Sequence, residues 1–308
     1  MPKVIPVFDH SQRPNAARMP GWIRQRLGGG EIYSNTARAV HANTLHTVCE
    51  EAACPNRGEC WSRGTATLML LGDTCTRACG FCNVKTGRPQ WHDADEPRRV
   101  AEAVEHMGLD YVVLTSVNRD DLSDGGAGIF AETVRAMRER KASLGIELLT
   151  PDFRNCQEAA IERVCGALRE SAGEPRLVWG HNVETVPSLY RTVRKGSDYA
   201  RSLRLLELAA QESGIEAKSA LMLGLGETRE EVVAVLRDLR AAGVQRVSLG
   251  QYLRPSRYHL PVEAYIHPEA FADYEAEARA LGFEWVKAGP LVRSSYHAEE
   301  EQSANAAQ

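Results

Sequence analysis

Six of the eight cysteines lie between residues 49 and 82, grouped in two triplets of different spacing. The triplets are Cys49-x4-Cys54-x5-Cys60 and Cys75-x3-Cys79-x2-Cys82. Iron–sulfur clusters are usually held by four cysteine thiolates. A triplet that holds a four-iron cluster leaves one iron free to bind another molecule. The spacing therefore indicates chemistry at a cluster rather than simple electron transfer.

Other uses of these cysteines fit the sequence less well. Disulfide frameworks are typical of small secreted chains, whereas this chain has 308 residues and we expect no secretory leader in residues 1–27. Zinc sites usually combine paired C-x2-C units into four ligands. The second triplet predicts a cluster, while the first alone is equally consistent with a cluster and with loosely spaced thiols. Cys156 and Cys165 are predicted to be buried, apolar side chains.

Composition is that of an ordinary globular chain, with 43% hydrophobic and 25% charged residues. The net charge of −4 gives no reason to expect nucleic acid, and no apolar stretch is long enough to predict a membrane span. Thiolate clusters require reduced cysteine, so we expect a cytoplasmic protein. Residues 1–30 are basic, with five Lys or Arg against Asp9, and the polar residues 299–308 are predicted to be disordered.

Strand and helix patterns alternate regularly from residue 65. Strands are predicted at 67–72, 111–117, 146–150, within 177–186, and at 217–225, 247–253 and 283–288. Helices are predicted at 96–107, 129–141, 159–168, 200–211, 230–242 and 267–281, and Thr228 with Glu231 predicts a capping box before the fifth of these.

Repeated strand–helix units imply a parallel sheet with right-handed crossovers. Six units are too few for an eight-stranded closed barrel, so we predict an α/β fold: a partial (β/α)6 barrel of the TIM type over residues 65–266. Residues 1–64 and 267–308 would be N- and C-terminal extensions. Periodicity alone does not exclude a doubly wound open sheet.

Chemistry in parallel α/β barrels lies at the carboxyl ends of the strands. Cys75 directly follows the first predicted strand, which places the second triplet at that end. Polar loops that follow later strands fall on the same side: 118–126, 151–154, 181–185, 224–228 and 251–256.

The second triplet resembles the signature of radical S-adenosylmethionine enzymes, with Phe81 in the aromatic position before the last cysteine. Within that group the chain is similar to lipoyl synthases from about residue 20 to residue 298. The segments that carry the similarity are 47–61, which holds the first triplet, and 64–67 (Gly-Thr-Ala-Thr), 73–77, 115–122, 224–228 and 293–296 (Arg-Ser-Ser-Tyr).

This resemblance implies insertion of two sulfur atoms, at C6 and C8 of a protein-bound octanoyl chain, to give the lipoyl group. It implies S-adenosylmethionine and two [4Fe–4S] clusters as cofactors. The second triplet would hold the cluster that cleaves adenosylmethionine to a 5′-deoxyadenosyl radical. The first would hold an auxiliary cluster that donates sulfide, with Ser295 chosen over Ser294 as its fourth ligand and Arg293 beside it as the cation that pairs with the cluster.

Four polar residues suit the ribose hydroxyls or methionine carboxylate of the cofactor, because they lie near predicted strand ends: Asn118, Asn182, Glu184 and Lys218. Each is equally consistent with a satisfied polar group at the barrel mouth. The resemblance also implies two kinds of partner. One is octanoylated carrier domains, such as 2-oxoacid dehydrogenase E2 subunits and the glycine cleavage H protein, and the other is a low-potential electron donor. Because such carriers are often acidic, residues 1–30 and 191–195 are the predicted docking surface.

Two other functions remain open at this point. One is a different sulfur-inserting radical enzyme, similar to biotin synthase or a methylthiotransferase, against which the first triplet and the Arg-Ser-Ser-Tyr ending argue. The other is a non-enzymatic cluster protein for electron transfer. Cleavage of adenosylmethionine by the reduced protein would separate an enzyme from that second alternative.

Overall fold

The computed structural model describes residues 19–23, 28–90, 93–173, 176–296 and 298. Most of the basic segment 1–30, including Arg24 and Arg26, and the polar segment 299–308 lie outside these residues, so what was predicted for them stays a prediction. Among the described residues, no helix is both long and apolar enough to cross a bilayer.

A mostly parallel sheet forms the centre of the structure. The strands are β1 (His46–Thr47), β2 (Thr67–Leu70), β3 (Thr74–Cys75), β4 (Lys85–Thr86), β5 (Tyr111–Ser116), β6 (Gly145–Leu149), β7 (Leu177–Gly180), β8 (Ile215–Leu223), β9 (Arg246–Gln251) and β10 (Trp285–Gly289). Within the described residues, eight of them form one sheet in the order β1-β2-β5-β6-β7-β8-β9-β10, and β3 pairs with β4 separately. Only β1 is antiparallel to its neighbour.

The strand order follows the chain order from β2 to β10, without a reversal. A doubly wound sheet has such a reversal at its switch point, so that alternative is excluded. The partial barrel predicted from the sequence is confirmed, with β10 as a further parallel strand beside β9. All four residues of β2 are buried, as expected for a parallel strand that is covered on both faces.

Helices follow the strands and cover the outside of the sheet. They are α4 (Glu96–His106), α5 (Ala127–Arg140), α6 (Gln157–Glu170), α8 (Tyr199–Ala210), α9 (Arg229–Ala241) and α10 (Pro268–Ala280). Each begins and ends within about two residues of its predicted bounds. The capping box is present at the start of α9, where Thr228 and Glu231 bond to each other's backbone amides.

Four further helices lie before the barrel or within one of its loops. They are α1 (Gly30–Ala42), α2 (Val48–Glu51), α3 (Arg57–Ser62) and α7 (Tyr190–Val193), and all but α1 are short. Val40 of α1 and Trp61 of α3 belong to the same hydrophobic cluster as β2, β5 and β6. Residues before the barrel thus pack directly on its core; the domain division at residues 64 and 266 stays a prediction.

Candidate active site

The second cysteine triplet lies in the segment between β2 and α4, which includes β3 and β4, and lines a cavity of about 470 Å³. Residues of several strands of the large sheet border this cavity, including Ser116 of β5 and Gly250 of β9. The Sγ atom of Cys75 accepts hydrogen bonds from the backbone N–H groups of Arg77 and Asn118, at 3.4 and 3.3 Å. Such bonds stabilise negative charge on a thiolate and tune a cluster bound to it.

A buried arginine between the first two cysteines of this triplet anchors the loop. The Arg77 guanidinium bonds to both oxygens of Asp152, at 2.8 and 2.6 Å, and to both oxygens of Asp120, at 2.8 and 2.7 Å. Arg201 also donates to Asp152, at 2.8 Å. Although burial alone would raise it, the pKa of Asp152 is held below its usual range by Arg77. This anchor was not predicted from the sequence, although Arg77, Asp120 and Asp152 each lie in a segment that the motifs or the strand ends indicate.

The loop that follows β9 covers the same triplet from outside. The Nε2 atom of His259 lies 3.1 Å from the Cys82 carbonyl oxygen, and the Leu260 amide donates to the Gly80 carbonyl at 3.0 Å. A Cβ atom at position 80 would lie 2.9 Å from the Leu260 side chain, so glycine permits this contact. His259 was not predicted from the sequence, where nothing near it suggests a contact with residue 82.

The first triplet surrounds a smaller cavity, which is also lined by Thr67 and Tyr111, the first residues of β2 and β5. Cys49 belongs to α2, Cys60 to α3, and Cys54 to the turn between these helices. All three line this cavity together with Arg293 and Ser295. The structure thus brings the Arg-Ser-Ser-Tyr segment to a triplet more than 230 residues earlier in the chain.

Hydrogen bonds with residues near the first triplet hold the C-terminal segment there, in addition to the one made by Ser295. Asn56 donates a hydrogen bond to the Leu291 carbonyl at 2.7 Å, and the Tyr296 hydroxyl donates to Glu59 at 3.2 Å. A Cβ atom at Gly250 would lie only 2.0 Å from the Val292 carbonyl oxygen. Glycine near the end of β9 therefore allows the backbone of the C-terminal segment to pass close to this strand.

Three of the four polar residues predicted near strand ends line the main cavity: Asn118, Asn182 and Glu184. Lys218, the fourth of these residues, does not lie at the carboxyl end of its strand. It is the fourth of nine residues in β8, towards the end of the strand opposite the mouth, and it is fully buried. Its ammonium forms a buried ion pair with Glu147, with Nζ and Oε2 2.8 Å apart, and does not line the cavity.

Arg194 also differs from its prediction. It belongs to the segment 191–195, which was predicted to be a docking surface, but its side chain is buried and lines the main cavity. Its guanidinium donates to the Tyr190 hydroxyl at 2.9 Å and to Ser202 at 3.1 Å. The signal in the sequence was its spacing of four residues from Tyr190, which places both side chains on one face of a helical turn.

All eight cysteines are free, and burial raises the pKa of three triplet thiols: to about 11 for Cys49 and Cys79, and to about 12 for Cys82. Without a cluster these groups are therefore neutral thiols, and ligation must displace their protons. Cys165 is buried in the core as predicted, whereas Cys156 is only half-buried.

Both triplets suit a cluster better than a single metal ion. No three Cys, His, Asp or Glu side chains in the described part of the chain converge closely enough to hold one ion. In a four-iron cluster each thiolate binds a different iron, so the ligands surround a volume instead of a point. The cysteines of each triplet line a cavity, which fits that arrangement.

Comparison with known proteins assigns this fold and site to a class. The family model of the radical SAM superfamily matches residues 69–239, which span β5 to β8 and all three cysteines of the second triplet. The chain is a radical SAM protein, a class whose cofactors are S-adenosylmethionine and a [4Fe–4S] cluster.

Curated relatives narrow the class. Lipoyl synthase of Thiobacillus denitrificans is 51% identical over 94% of this chain and 91% of its own length. Lipoyl synthases of Methylococcus capsulatus and Rubrobacter xylanophilus are 51% and 50% identical, over 92% of this chain and 86% of theirs. The chain belongs to the lipoyl synthase family, which confirms the resemblance seen in its motifs.

Solved structures show the fold alone at much lower identity. Methylornithine synthase is 14% identical in sequence, and its alignment covers 83% of this chain and 77% of the synthase chain, with a TM-score of 0.52. SuiB of Streptococcus suis, bound to its precursor peptide SuiA, is 13% identical and covers 76% of this chain and 50% of its own, with a TM-score of 0.53.

Proposed function

We propose that this protein forms the lipoyl group by radical-mediated insertion of two sulfur atoms at C6 and C8 of a protein-bound octanoyl chain. One observation carries this proposal: cysteines of both triplets line the same main cavity. Cys75, Cys79 and Cys82 border it together with Cys49 and Cys54. A chain held in this cavity can therefore reach both candidate cluster sites without leaving it.

The residues of the cavity suit a radical reaction on an alkyl chain. Bound adenosylmethionine and its cluster supply the hydrogen-abstracting radical, and the auxiliary cluster supplies sulfur. Apolar side chains from several strands line the cavity, including Leu149, Leu221 and Met222. They offer an apolar surface to the octanoyl methylenes and exclude water from the reacting carbon atoms.

Polar groups at one side of the cavity are proposed to hold adenosylmethionine. Asn182 donates to Glu184 at 3.1 Å, and its Oδ1 atom is buried with no hydrogen-bond partner among the described residues. Glu184 has a left-handed backbone with φ of 66°, a conformation that costs energy for a side chain of this kind. Burial raises the pKa of Glu184, so a cationic ligand such as a methionine amine would favour its charged form.

Ser295 is proposed as the fourth ligand of the auxiliary cluster. It lines the small cavity with all three cysteines of the first triplet, whereas Ser294 lines only the main cavity. Arg293 is half-buried and lines the small cavity with the same cysteines, and its charge lies close to Cys54 and Glu184. A cation there compensates the negative charge that thiolates bring to a cluster.

The carrier domain is proposed to dock on two loops at the cavity rim, which we call the rim loops, residues 186–197 and 252–262. Both contact Gly80, whose amide donates to the Val193 carbonyl and whose carbonyl accepts from Leu260. Neither loop contains Asp or Glu, although the chain is acidic overall. Their exposed side chains include Arg191, Lys195, Arg257 and Tyr258.

This charge pattern favours an acidic partner at the place where an acyl chain would enter. Octanoylated domains of 2-oxoacid dehydrogenase E2 subunits and the glycine cleavage H protein are the proposed carriers. A low-potential electron donor must also reach the second triplet. Reduced clusters of this kind imply a reducing compartment, and we propose the cytoplasm.

The direct test is anaerobic incubation of reconstituted protein with an octanoyl-lysine peptide, adenosylmethionine and a reductant, read by mass spectrometry. The expected product has gained two sulfur atoms, with the loss of two hydrogens once the two thiols have closed to the disulfide. Two molecules of 5′-deoxyadenosine should form per lipoyl group. Cleavage of adenosylmethionine without sulfur transfer, to either peptide or carrier protein, would contradict the proposal and favour a different radical enzyme. Absence of cleavage would favour an electron-transfer protein.

A further inference from the structure

Thr67, the first residue of β2, contacts both halves of the proposed auxiliary ligand set. Its Oγ1 atom donates a hydrogen bond to the Ser295 Oγ atom at 2.8 Å. Its backbone amide lies against the Cys49 thiol, where it opposes the effect of burial on the pKa of that group. Thr67 is itself buried and lines both cavities. The residue therefore links a thiol and a hydroxyl that approach from opposite ends of the chain.

The strand fixes this threonine firmly. Thr67 pairs with Val113 of β5, and the next residue, Leu68, pairs with Thr47 of β1. Thr47 in turn caps α2, the helix that carries Cys49. A donor on a paired strand is held more precisely than one on a loop, so its hydroxyl has a fixed direction relative to Ser295.

The direction of the hydrogen bond follows from the proposed ligation. A serine bound to iron through a deprotonated oxygen has no proton of its own, so it can only accept. Thr67 must then be the donor, and its Oγ1 atom lies within hydrogen-bond distance of the Ser295 Oγ atom. A hydrogen bond to a charged oxygen is stronger than one between neutral groups, and it draws electron density away from any metal bound to that oxygen.

We propose that Thr67 is a positioning residue for Ser295: it orients the serine oxygen towards the first triplet and weakens the bond from that oxygen to iron. The inference rests on the proposed function, in which Ser295 is the fourth ligand. When the iron–oxygen bond breaks, its electron pair stays on the serine oxygen and water supplies the proton, while Thr67 remains a hydroxyl. Thr67 thereby sets how readily one iron leaves the site.

The test isolates the auxiliary site in the full chain. Cys75, Cys79 and Cys82 are replaced by Ala, the protein is reconstituted anaerobically, and the rate of iron transfer to a chelator is measured per bound iron. Thr67→Val keeps the shape of the side chain and removes the donor, whereas Thr67→Ser keeps the donor. Thr133→Val is the matched control, because Thr133 is a buried threonine that bonds only within α5.

We expect Thr67→Val to bind as much iron as its parent and to release one iron roughly tenfold more slowly, the effect of a lost charge-assisted hydrogen bond. Thr67→Ser and Thr133→Val should both release iron at the parent rate. With Ser295→Ala added, Thr67→Val should have no further effect, because the two residues act through one contact.

An unchanged or faster release in Thr67→Val would overturn the inference. So would an equal slowing in the Ser295→Ala background, since Thr67 would then act without the serine. If the protein lacking the second triplet binds no iron at all, the auxiliary cluster of the proposed function fails, and the role of Thr67 falls with it. The iron content separates that result from a failure of the inference about Thr67 alone, before any rate is measured.

Discussion

Arg77 and Asp152 form a buried, two-bond ion pair that fastens the loop of the second triplet to the end of β6. The Nη1–Oδ2 and Nη2–Oδ1 distances are 2.8 and 2.6 Å, and both side chains are almost inaccessible. Because Arg77 lies between Cys75 and Cys79, the pair fixes the backbone that presents both thiols. It leaves the thiols themselves free to bind a cluster.

We expect Arg77→Met to lower the free energy of unfolding by about 3–5 kcal/mol, since it leaves Asp120 and Asp152 without their main partner. Iron bound at the second triplet should fall with it. The control is Arg98→Met, which removes exposed ion pairs with Asp95 and Glu102 at α4 and should leave the unfolding free energy nearly unchanged. Denaturant unfolding of cluster-free protein measures both. Equal effects in the two variants would show that Arg77 anchors nothing.

Two separate clusters predict a simple iron count. Reconstituted protein should hold about eight irons, four for each cluster. Replacing all three cysteines of either triplet by Ala should leave half of that iron, and Cys165→Ala and Cys156→Ala should keep all of it. Colorimetric iron analysis under anaerobic conditions gives the numbers. Complete loss of iron in either triple variant would mean one shared site.

Ser295→Cys exchanges an oxygen ligand for a softer thiolate that iron binds more firmly. The auxiliary cluster should persist or become more stable, sulfur insertion should fall, and cleavage of adenosylmethionine should continue. Ser294→Ala should retain sulfur insertion, because Ser294 does not line the small cavity. Product analysis by mass spectrometry separates these outcomes. A fully active Ser295→Cys protein would contradict the argument that lability of this ligand matters.

His181 predicts a pH dependence of stability. Burial lowers its pKa to about 4, below the value of about 6.5 expected in the unfolded chain. The unfolded state therefore binds more protons below pH 6.5, so the contribution of His181 is complete above that pH and is lost as the pH falls towards 4. The loss should reach about 3 kcal/mol over this window.

The check is the difference in unfolding free energy between the wild type and His181→Gln, measured from pH 7.5 to 4.5. This difference isolates the histidine from other groups that titrate in the same range. It should shrink steadily below pH 6.5 as the wild type loses the contribution of its neutral imidazole. A difference that is constant with pH would mean that His181 is protonated equally in both states.

Charge reversal of the rim loops should weaken use of the carrier protein. We expect Lys195→Glu with Arg257→Glu to raise the apparent KM for an octanoylated carrier domain several-fold and to reduce its dependence on salt. Reaction of a short octanoyl-lysine peptide should stay unchanged. Arg169→Glu with Arg204→Glu, on α6 and α8, is the matched control. An unchanged KM for the carrier would rule out docking on these loops.

Local patterns in the sequence were sufficient for the barrel. The strands of the large sheet from β2 onward and the six helices that follow them have periodicities that depend on neighbours in the chain, and the cysteine spacings are equally local. The short elements β3, β4 and α7 were not predicted. Lys218 and Arg194 were misplaced for a different reason. A charged residue in a strand or loop is predicted to be exposed unless a partner for its charge is known. The buried partners of these two residues, Glu147 for Lys218 and Tyr190 for Arg194, become evident only in the folded chain.

Contacts between distant segments were beyond the sequence. Thr67 and Ser295 are 228 positions apart, and His259 and Cys82 are 177 apart. Neither residue of a pair predicts the other, because the hydroxyls of threonine and serine and the ring of histidine can hydrogen-bond to many partners. The motifs indicated which residues belong to the site, and only the fold shows which of them touch.

The passage of residues 291–296 over Gly250 bears on the order in which the two sites are completed during synthesis. The hydrogen bonds described for the second triplet come from residues up to Leu260, whereas Ser295, the proposed ligand, reaches the cavity of the first triplet from later in the chain. With the proposed ligation, the fourth ligand of the auxiliary cluster is absent until residue 295 has been synthesised. A cluster delivered earlier would be held by three thiolates, with one iron exposed. A chain truncated between Leu260 and Ser295 would keep the cysteines of both triplets and lack that ligand.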